Sequence, residues 1–236
     1  MGDQLTIQAH DGGQFNGYIA LPDNLDTNAH VPALIMIQEI FGVNAEMRKK
    51  CDLWAEKGYI AIAPDLFWRQ EAGVQLTDKT QEEWDKAFAL MNGFDVDLGI
   101  KDLKSTLQTI RGHKGCNGKV GTIGYCLGGK LAYLMATRTD IDASVGYYGV
   151  GLEDLLGEAG SIQNPLLLHI AEEDKFVDKA AQEKIKDGLK HNTHVTMHSY
   201  SGVNHAFTRL NGEHYDEAAA QKANQRTVDF ISEALS

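Results

Sequence analysis

A cysteine framed by glycines carries the strongest chemical signal in this chain. The pentapeptide Gly124-Tyr125-Cys126-Leu127-Gly128 has the Gly-x-nucleophile-x-Gly spacing of a nucleophile elbow, with cysteine where serine is usual. In such an elbow the nucleophile lies on a strained turn between a strand and a helix, and the glycines let these two elements approach closely. A cysteine at this position predicts a hydrolase that forms a thioester.

The segments around the motif predict the strand and the helix that it requires. Lys119 to Ile123 has the pattern of a short buried strand, and Gly129 to Thr137 has that of a helix with Leu131, Leu134 and Met135 on one side. The positive end of that helix would favour the thiolate form of the cysteine. The alternative is a small buried hydrophobic cysteine, so the assignment depends on an acid and a base elsewhere in the chain.

Candidates for the acid and the base follow in the order that such hydrolases use, which is nucleophile, acid, base. The predicted strand Leu166 to Ala171 ends shortly before Asp174, and the predicted strand Thr196 to Tyr200 ends shortly before His205. His205 would accept the thiol proton and later deliver it to the leaving oxygen, while Asp174 would fix the histidine tautomer. The alternatives are a solvent-exposed loop histidine and, for the acid, neighbouring carboxylates that we interpret as solvated charges, namely Glu172, Glu173 and Asp178.

Two backbone N–H groups are needed to stabilise the oxyanion of a tetrahedral intermediate. The residue after the nucleophile, Leu127, supplies one of them. We expect the other from the loop after the first parallel strand, where Ile40 is the candidate.

The order of predicted elements favours one doubly wound α/β domain over residues 1–236. Leu5 to Leu21 alternates around Asp11-Gly12-Gly13 and predicts an N-terminal antiparallel hairpin. Strands and helices then alternate, which predicts a mostly parallel sheet flanked by helices. The candidate catalytic residues all follow predicted strands, at the edge where ligands bind in such sheets. The further predicted strands are Ala33 to Gln38, Tyr59 to Ala63 and Ala143 to Tyr147, and the further predicted helices are Asn44 to Lys57, two or more across Gln81 to Ile110, and Tyr215 to Leu235.

The amino-acid composition limits the kinds of molecule that this protein is expected to bind. The formal charge of −11 and the pI near 5.2 argue against nucleic-acid binding, which needs a basic surface. No apolar run predicts a membrane span and no secretory signal is present, so we expect a cytoplasmic protein that acts on a small molecule, as a monomer or a small homo-oligomer. The three cysteines match neither a disulfide framework nor a zinc site, and no metal or other cofactor is expected. Cys51 is expected in the core and Cys116 at the surface.

Four segments together resemble the dienelactone hydrolase family, and the similarity extends from about Val31 to the C-terminus. They are Gln38-Glu39-Ile40-Phe41-Gly42, the run from Lys119 to Gly129 that contains the elbow, Gly146-Tyr147-Tyr148-Gly149-Val150-Gly151, and His205-Ala206-Phe207-Thr208-Arg209. The resemblance implies an α/β-hydrolase fold and a Cys126-His205-Asp174 triad. It also implies metal-free hydrolysis of a cyclic enol ester such as 4-carboxymethylenebut-2-en-4-olide to maleylacetate.

The resemblance gives roles to two further residues. The glutamate at the position of Glu39 holds the resting thiol in the family, and it accepts the thiol proton when substrate binding moves it. Arg209 matches the family arginine that contacts both the substrate carboxylate and this glutamate. A guanidinium can bind a carboxylate through two hydrogen bonds, so an arriving anionic substrate would compete with Glu39 for Arg209.

The chain departs from the family pattern where the substrate would bind. In an ungapped alignment, Trp84 replaces a second carboxylate-binding arginine, Phe88 and Met91 replace a pocket tyrosine and tryptophan, and Ala206 replaces a serine. Loss of one charge-assisted contact would weaken carboxylate binding by about 1.5 to 3 kcal/mol. Trp84, Phe88 and Met91 are predicted to line the substrate pocket, although their helical spacing equally fits an inward-facing core.

These departures leave alternatives to a dienelactone hydrolase. A carboxylesterase acting on uncharged or bulkier esters is the first alternative, because Trp84 replaces the arginine. A catalytically silent ligand-binding homologue is the second, since fold alone does not fix function.

Overall fold

The computed structural model describes residues 2–23, 25 and 30–236. Their strands form an eight-stranded, mostly parallel sheet that begins with an antiparallel hairpin, as the sequence predicts. Contacts between residues divide the chain into two compact units, Met1–Gly121 and Thr122–Ser236. The single domain expected from the sequence therefore stays a prediction. None of the helices in the described part of the chain has both the length and the apolar character needed to cross a bilayer.

The described residues of the first unit form the hairpin, two parallel strands and three helices. Within it the strand order is β1-β2-β4-β3, with β2 antiparallel to both of its neighbours and β3 parallel to β4. The elements are β1 (Asp3–Gln8), β2 (Gln14–Ala20), β3 (Val31–Ile37), α1 (Ala45–Glu56), β4 (Ile60–Pro64), α2 (Gln81–Asn92) and α3 (Val96–Arg111).

The residue types in these strands and at the starts of these helices explain why the elements form. β3 and β4 are almost wholly apolar, and most of their residues are buried, as expected for parallel strands covered on both faces. Each helix begins after a residue whose side-chain oxygen accepts a hydrogen bond from a backbone N–H of the first turn, which satisfies a donor that the helix leaves open. These N-terminal caps are Asn44, Thr80 and Asp95.

The second unit holds three adjacent parallel strands in the order β6-β7-β8. The boundary between the units falls within β5 (Cys116–Tyr125). The elements that follow are α4 (Leu127–Arg138), β6 (Ala143–Tyr147), the short 3-10 helices Leu152–Asp154 and Leu156–Ser161, β7 (Leu166–Ala171), α5 (Lys179–Leu189), β8 (Val195–Tyr200) and α6 (Glu217–Ala234).

One α-helix has no counterpart among the sequence-based predictions. α5 is mostly polar, and Ile185 and Leu189 are the apolar members of its buried face, which also holds Gln182. Its start does carry a signal, because the side chain of Asp178 accepts a hydrogen bond from the N–H of Ala181 at 2.8 Å. Asp178 is therefore a helix cap and not only a solvated charge.

Buried polar side chains in the second unit form a satisfied network. His169 in β7 is 1 % exposed, with Nδ1 2.8 Å from the Tyr200 hydroxyl and Nε2 2.9 Å from the Thr227 hydroxyl. The Thr227 hydroxyl in turn lies 2.6 Å from the Tyr147 hydroxyl. Burial, followed by the positive charges of His198 and Arg226, lowers the pKa of His169 to about 3. The neutral ring of His169 therefore links α6 to the sheet.

The two cysteines outside the elbow are both buried. Cys51 is completely buried, as expected, and burial raises the pKa of its thiol. Cys116 is 8 % exposed, so the expectation of a surface cysteine was wrong. It opens β5 and accepts a hydrogen bond through Sγ from the N–H of Gly118. The Gly-rich turn folds back over this thiol instead of exposing it.

Candidate active site

The predicted nucleophile lies at a sharp turn between β5 and α4. Cys126 has φ 57° and ψ −116°, a backbone conformation that non-glycine residues rarely adopt. Its N–H donates to the carbonyl of Tyr147 at 3.0 Å, which fixes the turn to the end of β6. The residue is 7 % exposed. This is the strained elbow that the sequence predicts for a nucleophile.

Gly124 of the motif and Gly129, directly after it, are required by close packing. A Cβ on Gly124 would overlap the carbonyl of Gly128, and a Cβ on Gly129 would lie 2.6 Å from the carbonyl oxygen of Tyr147. Real Cβ atoms do not approach backbone atoms so closely, so α4 can begin where it does only with glycine at both positions.

Leu127 is the first residue of α4. Its N–H belongs to the first turn, where backbone donors have no partner within the helix. The dipole of α4 also has its positive end here, which favours negative charge beside Cys126. This is the place that the sequence predicts for one of the two oxyanion donors, and the role of Leu127 stays a prediction.

Asp174 and His205 come together as an acid–base pair in the loops after β7 and β8. Nδ1 of His205 lies 2.8 Å from Oδ2 of Asp174, and the two residues are 5 % and 6 % exposed. The other carboxylate oxygen, Oδ1, accepts hydrogen bonds from the N–H groups of Phe176 at 2.8 Å and Val177 at 3.3 Å. The carboxylate is thus fixed by its own loop and aimed at the imidazole.

The surroundings of His205 determine the pKa of its ring. Burial disfavours the charged ring, but the negative charge of Cys126, together with hydrogen bonding to Asp174 and Cys126, outweighs burial and raises the pKa of His205. Nε2 makes no hydrogen bond of standard geometry to a described residue. Nε2 is the ring nitrogen that remains for proton transfer. Hydrogen bonds between catalytic groups are often long before substrate binds. The surroundings of His205 therefore favour the protonated ring.

Two aromatic rings flank the His205 imidazole. Tyr148 lies 4.9 Å from it between ring centres and Phe176 lies 4.8 Å from it, both nearly edge to face. The Tyr148 hydroxyl is held by Thr208 at 2.8 Å. Tyr148 is buried and Phe176 is half exposed, so the imidazole is packed between one interior ring and one ring at the surface. Sequence reasoning gave neither aromatic a role at His205, although Phe176 lies two residues after Asp174 and Tyr148 lies in a segment that resembles the family.

Arg209 lies in the turn after the candidate base. It is 9 % exposed, and its N–H donates to the carbonyl of Ala206 at 2.9 Å. Ala206 itself has φ 61°, a strained value for a residue with a side chain. A short, tightly bent segment therefore carries both His205 and Arg209.

The remaining candidates belong to the first unit. Glu39 and Ile40 follow the end of β3 and are 9 % and 3 % exposed. Trp84, Phe88 and Met91 lie on α2 and are each half-buried, whereas Ala87 and Leu90 are the fully buried residues of this helix. The first three are thus not simply core residues.

The aromatic residues of α2 pack against one another. The rings of Trp84 and Phe88 stack at 5.5 Å, and Phe41 contacts Trp84 edge to face at 5.0 Å. The Trp84 Nε1 donates to the carbonyl of Asp78 at 3.2 Å. Phe41, Trp84 and Phe88 therefore form one aromatic cluster, and Phe41 is the residue after Ile40 in the chain.

Known proteins resemble this chain over nearly all of its length. The sequence profile of the dienelactone hydrolase family matches residues 15–235. A protein of Azospirillum brasilense, provisionally named carboxymethylenebutenolidase, is 49 % identical over 235 residues, which cover 98 % of each chain. Carboxymethylenebutenolidase of Pseudomonas putida is 37 % identical over 228 residues, covering 97 % of this chain and 95 % of the relative.

The fold is shared with solved structures. A crystal structure from Klebsiella pneumoniae superposes with a TM-score of 0.85 over 98 % of both chains, at 24 % sequence identity. The likeness at that identity shows the fold, which is the α/β-hydrolase fold that the sequence predicts. On the family profile and the curated relatives together, the chain is a hydrolase and belongs to the dienelactone hydrolase family.

Proposed function

We propose that this protein hydrolyses a small carboxylate-bearing lactone or enol ester through a thioester on Cys126. The bond between His205 Nδ1 and Asp174 Oδ2, at 2.8 Å in a buried site, is the observation that carries the proposal. Because Nδ1 of His205 is bound to Asp174, Nε2 is the ring nitrogen that would carry protons during the reaction at Cys126. The name of the Pseudomonas putida relative, carboxymethylenebutenolidase, supports conversion of dienelactone to maleylacetate as the reaction.

Acylation begins when the Cys126 sulfur attacks the carbonyl carbon of the lactone. The carbonyl electron pair moves onto oxygen, and the N–H of Leu127 donates to this oxyanion. Ile40 is the sequence-based candidate for the second donor. When the carbonyl re-forms, the ring C–O bond breaks and the leaving oxygen takes the proton from Nε2 of His205. Because the substrate is cyclic, the resulting enol stays in the same molecule as the thioester.

Deacylation reverses the role of the histidine. Neutral His205 removes a proton from water, and the hydroxide formed attacks the thioester carbon. Collapse of the second tetrahedral intermediate breaks the C–S bond and returns the thiolate beside the imidazolium. The released enol then becomes the keto acid by tautomerisation.

Substrate-assisted activation of the thiol is part of the proposal, and it rests on the family resemblance for its roles. Glu39 would accept the thiol proton after the substrate carboxylate draws Arg209 to itself, and it would return this proton to the thiolate once deacylation is complete. The Glu39→Gln variant tests this step, and we expect it to change both turnover and the pH dependence of Cys126 alkylation. If neither changes, Glu39 has no part in activation. Arg209→Lys keeps the charge but loses the planar two-point grip, so we expect a higher KM for anionic substrates.

A carboxylesterase acting on uncharged or bulkier esters is the second candidate. It is favoured by the half-buried stack of Trp84 on Phe88, where the family pattern has an arginine and a tyrosine. An aromatic surface of this kind binds apolar acyl or alcohol groups better than carboxylates.

Steady-state hydrolysis distinguishes these functions. Wild type and Cys126→Ala are compared on cis-dienelactone, trans-dienelactone and p-nitrophenyl acetate. Dienelactone turnover that requires Cys126 supports the first candidate, and turnover of the aryl ester alone supports the second. A silent binding homologue would turn over none of them, and Cys126→Ala would leave its ligand affinity unchanged.

A further inference from the structure

The side chain of Asn204 lies between the loop that carries the acid and the loop that carries the base. Its Oδ1 accepts a hydrogen bond from the N–H of His205 at 2.7 Å and another from the N–H of Lys175 at 3.2 Å. Lys175 directly follows Asp174. One oxygen atom therefore binds the backbone of the base and the backbone next to the acid.

This contact extends the pairing of β7 with β8 beyond the ends of the strands. The last paired residues are Ala171 and Tyr200, and the N–H of Glu173 then donates to the carbonyl of Val203 at 2.9 Å. At the next position the backbone turns away from the acid loop. The Asn204 amide oxygen supplies the acceptor that a backbone carbonyl no longer provides.

The orientation of the amide follows from its partners. Both backbone groups are donors, so they require oxygen on the side that faces them, and this places Nδ2 toward His214. Nδ2 lies 3.3 Å from Nε2 of His214. Since an amide nitrogen can only donate, Nε2 of His214 is the acceptor in this contact. The third contact prevents the amide from rotating.

We propose that Asn204 is a positioning residue that holds His205 and Asp174 at their working separation. The proposal deepens the proposed function and rests on it. The acid and the base come from separate loops, and the pKa of His205 is raised in part by its hydrogen bond to Asp174. A loss of the shared acceptor lets the two loops separate, which weakens that hydrogen bond and misaligns Nε2 with the leaving oxygen.

Three variants and one control test the proposal. Asn204→Ala removes the shared acceptor, Asn204→Gln keeps the amide but moves it outward by one methylene, and Asn204→Asp keeps an acceptor at the same distance. Asn192→Ala is the matched control, because Asn192 also bridges two segments of this unit, accepting from the N–H of His194 at 2.9 Å and donating to the carbonyl of Ala159 at 3.0 Å. It precedes β8, whereas the triad residues follow strands.

The measurements are kcat and KM on dienelactone and the pKa of His205 from its imidazole NMR signals. We expect Asn204→Ala and Asn204→Gln to lower kcat by about 10- to 100-fold with little change in KM, since small displacements of catalytic groups have effects of this size. Both should also lower the pKa of His205. Asn204→Asp should restore kcat to within a few-fold of wild type, and Asn192→Ala should change neither quantity.

The proposal is overturned if Asn204→Ala and Asn204→Gln leave both kcat and the His205 pKa unchanged. It is equally overturned if Asn192→Ala lowers kcat as much, because the effect would then be general destabilisation. If Asn204→Ala does not fold, Asn204→Gln and Asn204→Asp still decide between the outcomes. The His205 titration needs no substrate, so it tests Asn204 even if dienelactone proves not to be the substrate.

Discussion

The carboxylate of Asp174 uses its two oxygens for different purposes. Oδ1 is bound by the N–H groups of Phe176 and Val177, and Oδ2 alone faces Nδ1 of His205 at 2.8 Å. The loop therefore fixes the direction in which the acid points before any substrate arrives. That arrangement keeps the imidazole in the tautomer whose Nε2 is available for proton transfer.

Replacing Asp174 by asparagine should reduce kcat by about 10³- to 10⁴-fold, because an amide can stabilise the wrong histidine tautomer and does not stabilise the imidazolium. Glu173→Gln is the control. Glu173 is adjacent but exposed and only pairs with Lys179 at the surface. Steady-state kinetics should show near-normal turnover for the control. An Asp174→Asn enzyme with a tenth or more of wild-type kcat would remove Asp174 from the mechanism.

The elbow should tolerate no side chain at Gly124. A methyl group there overlaps the carbonyl of Gly128, so Gly124→Ala should lower the free energy of unfolding by about 3 kcal/mol or more. Gly157→Ala is the matched control in the same unit, because a Cβ at Gly157 meets no atom within 4 Å. Urea unfolding of both variants measures the difference. Equal stabilities would mean that the close approach of β5 and α4 is not required.

The titration of His205 should depend on Cys126. The direction of the wild-type shift predicts protonation of the ring well above pH 6.5, and the thiolate is the largest contribution that raises this pKa against burial. Cys126→Ala removes that contribution, so the NMR titration of His205 should move to lower pH. Cys116→Ala, a second buried cysteine, serves as the control and should leave the titration unchanged. A His205 pKa that is the same in wild type and Cys126→Ala would show that the thiol and imidazole are not coupled.

Acid should destabilise the second unit through His169. Above pH 6.5 the ring is neutral in both the folded and the unfolded chain. Below that pH the unfolded chain binds a proton that the folded chain binds only near pH 3, so stability falls between pH 6.5 and about 3. The expected loss is about 1.4 kcal/mol for each pH unit in this window. His169→Gln should show a shallower fall in urea unfolding over the same window, and an identical slope would contradict the assignment.

Particular residues show what the sequence could and could not predict. β6 and β7 were predicted with their observed bounds, because they are short apolar runs between polar turns. The elbow was also predictable, since its glycine spacing is a local requirement. α5 was missed because few apolar residues mark its buried face, and the contacts of Asn204 could not be predicted because they join two separate loops. The roles of Glu39, Ile40, Arg209 and the α2 residues stay predictions. The cytoplasmic location, the oligomeric state and the lack of nucleic-acid binding also stay predictions.

The covalent thioester on Cys126 can be detected by trapping the acyl enzyme. Wild type is mixed with p-nitrophenyl acetate or dienelactone, quenched in acid during turnover, digested and mapped by mass spectrometry. We expect one acyl group per chain on the peptide containing Cys126, none on the peptides of Cys51 and Cys116, and none in Cys126→Ala. Turnover of either substrate with an unmodified Cys126 peptide at every quench time, and undiminished in Cys126→Ala, would contradict this expectation.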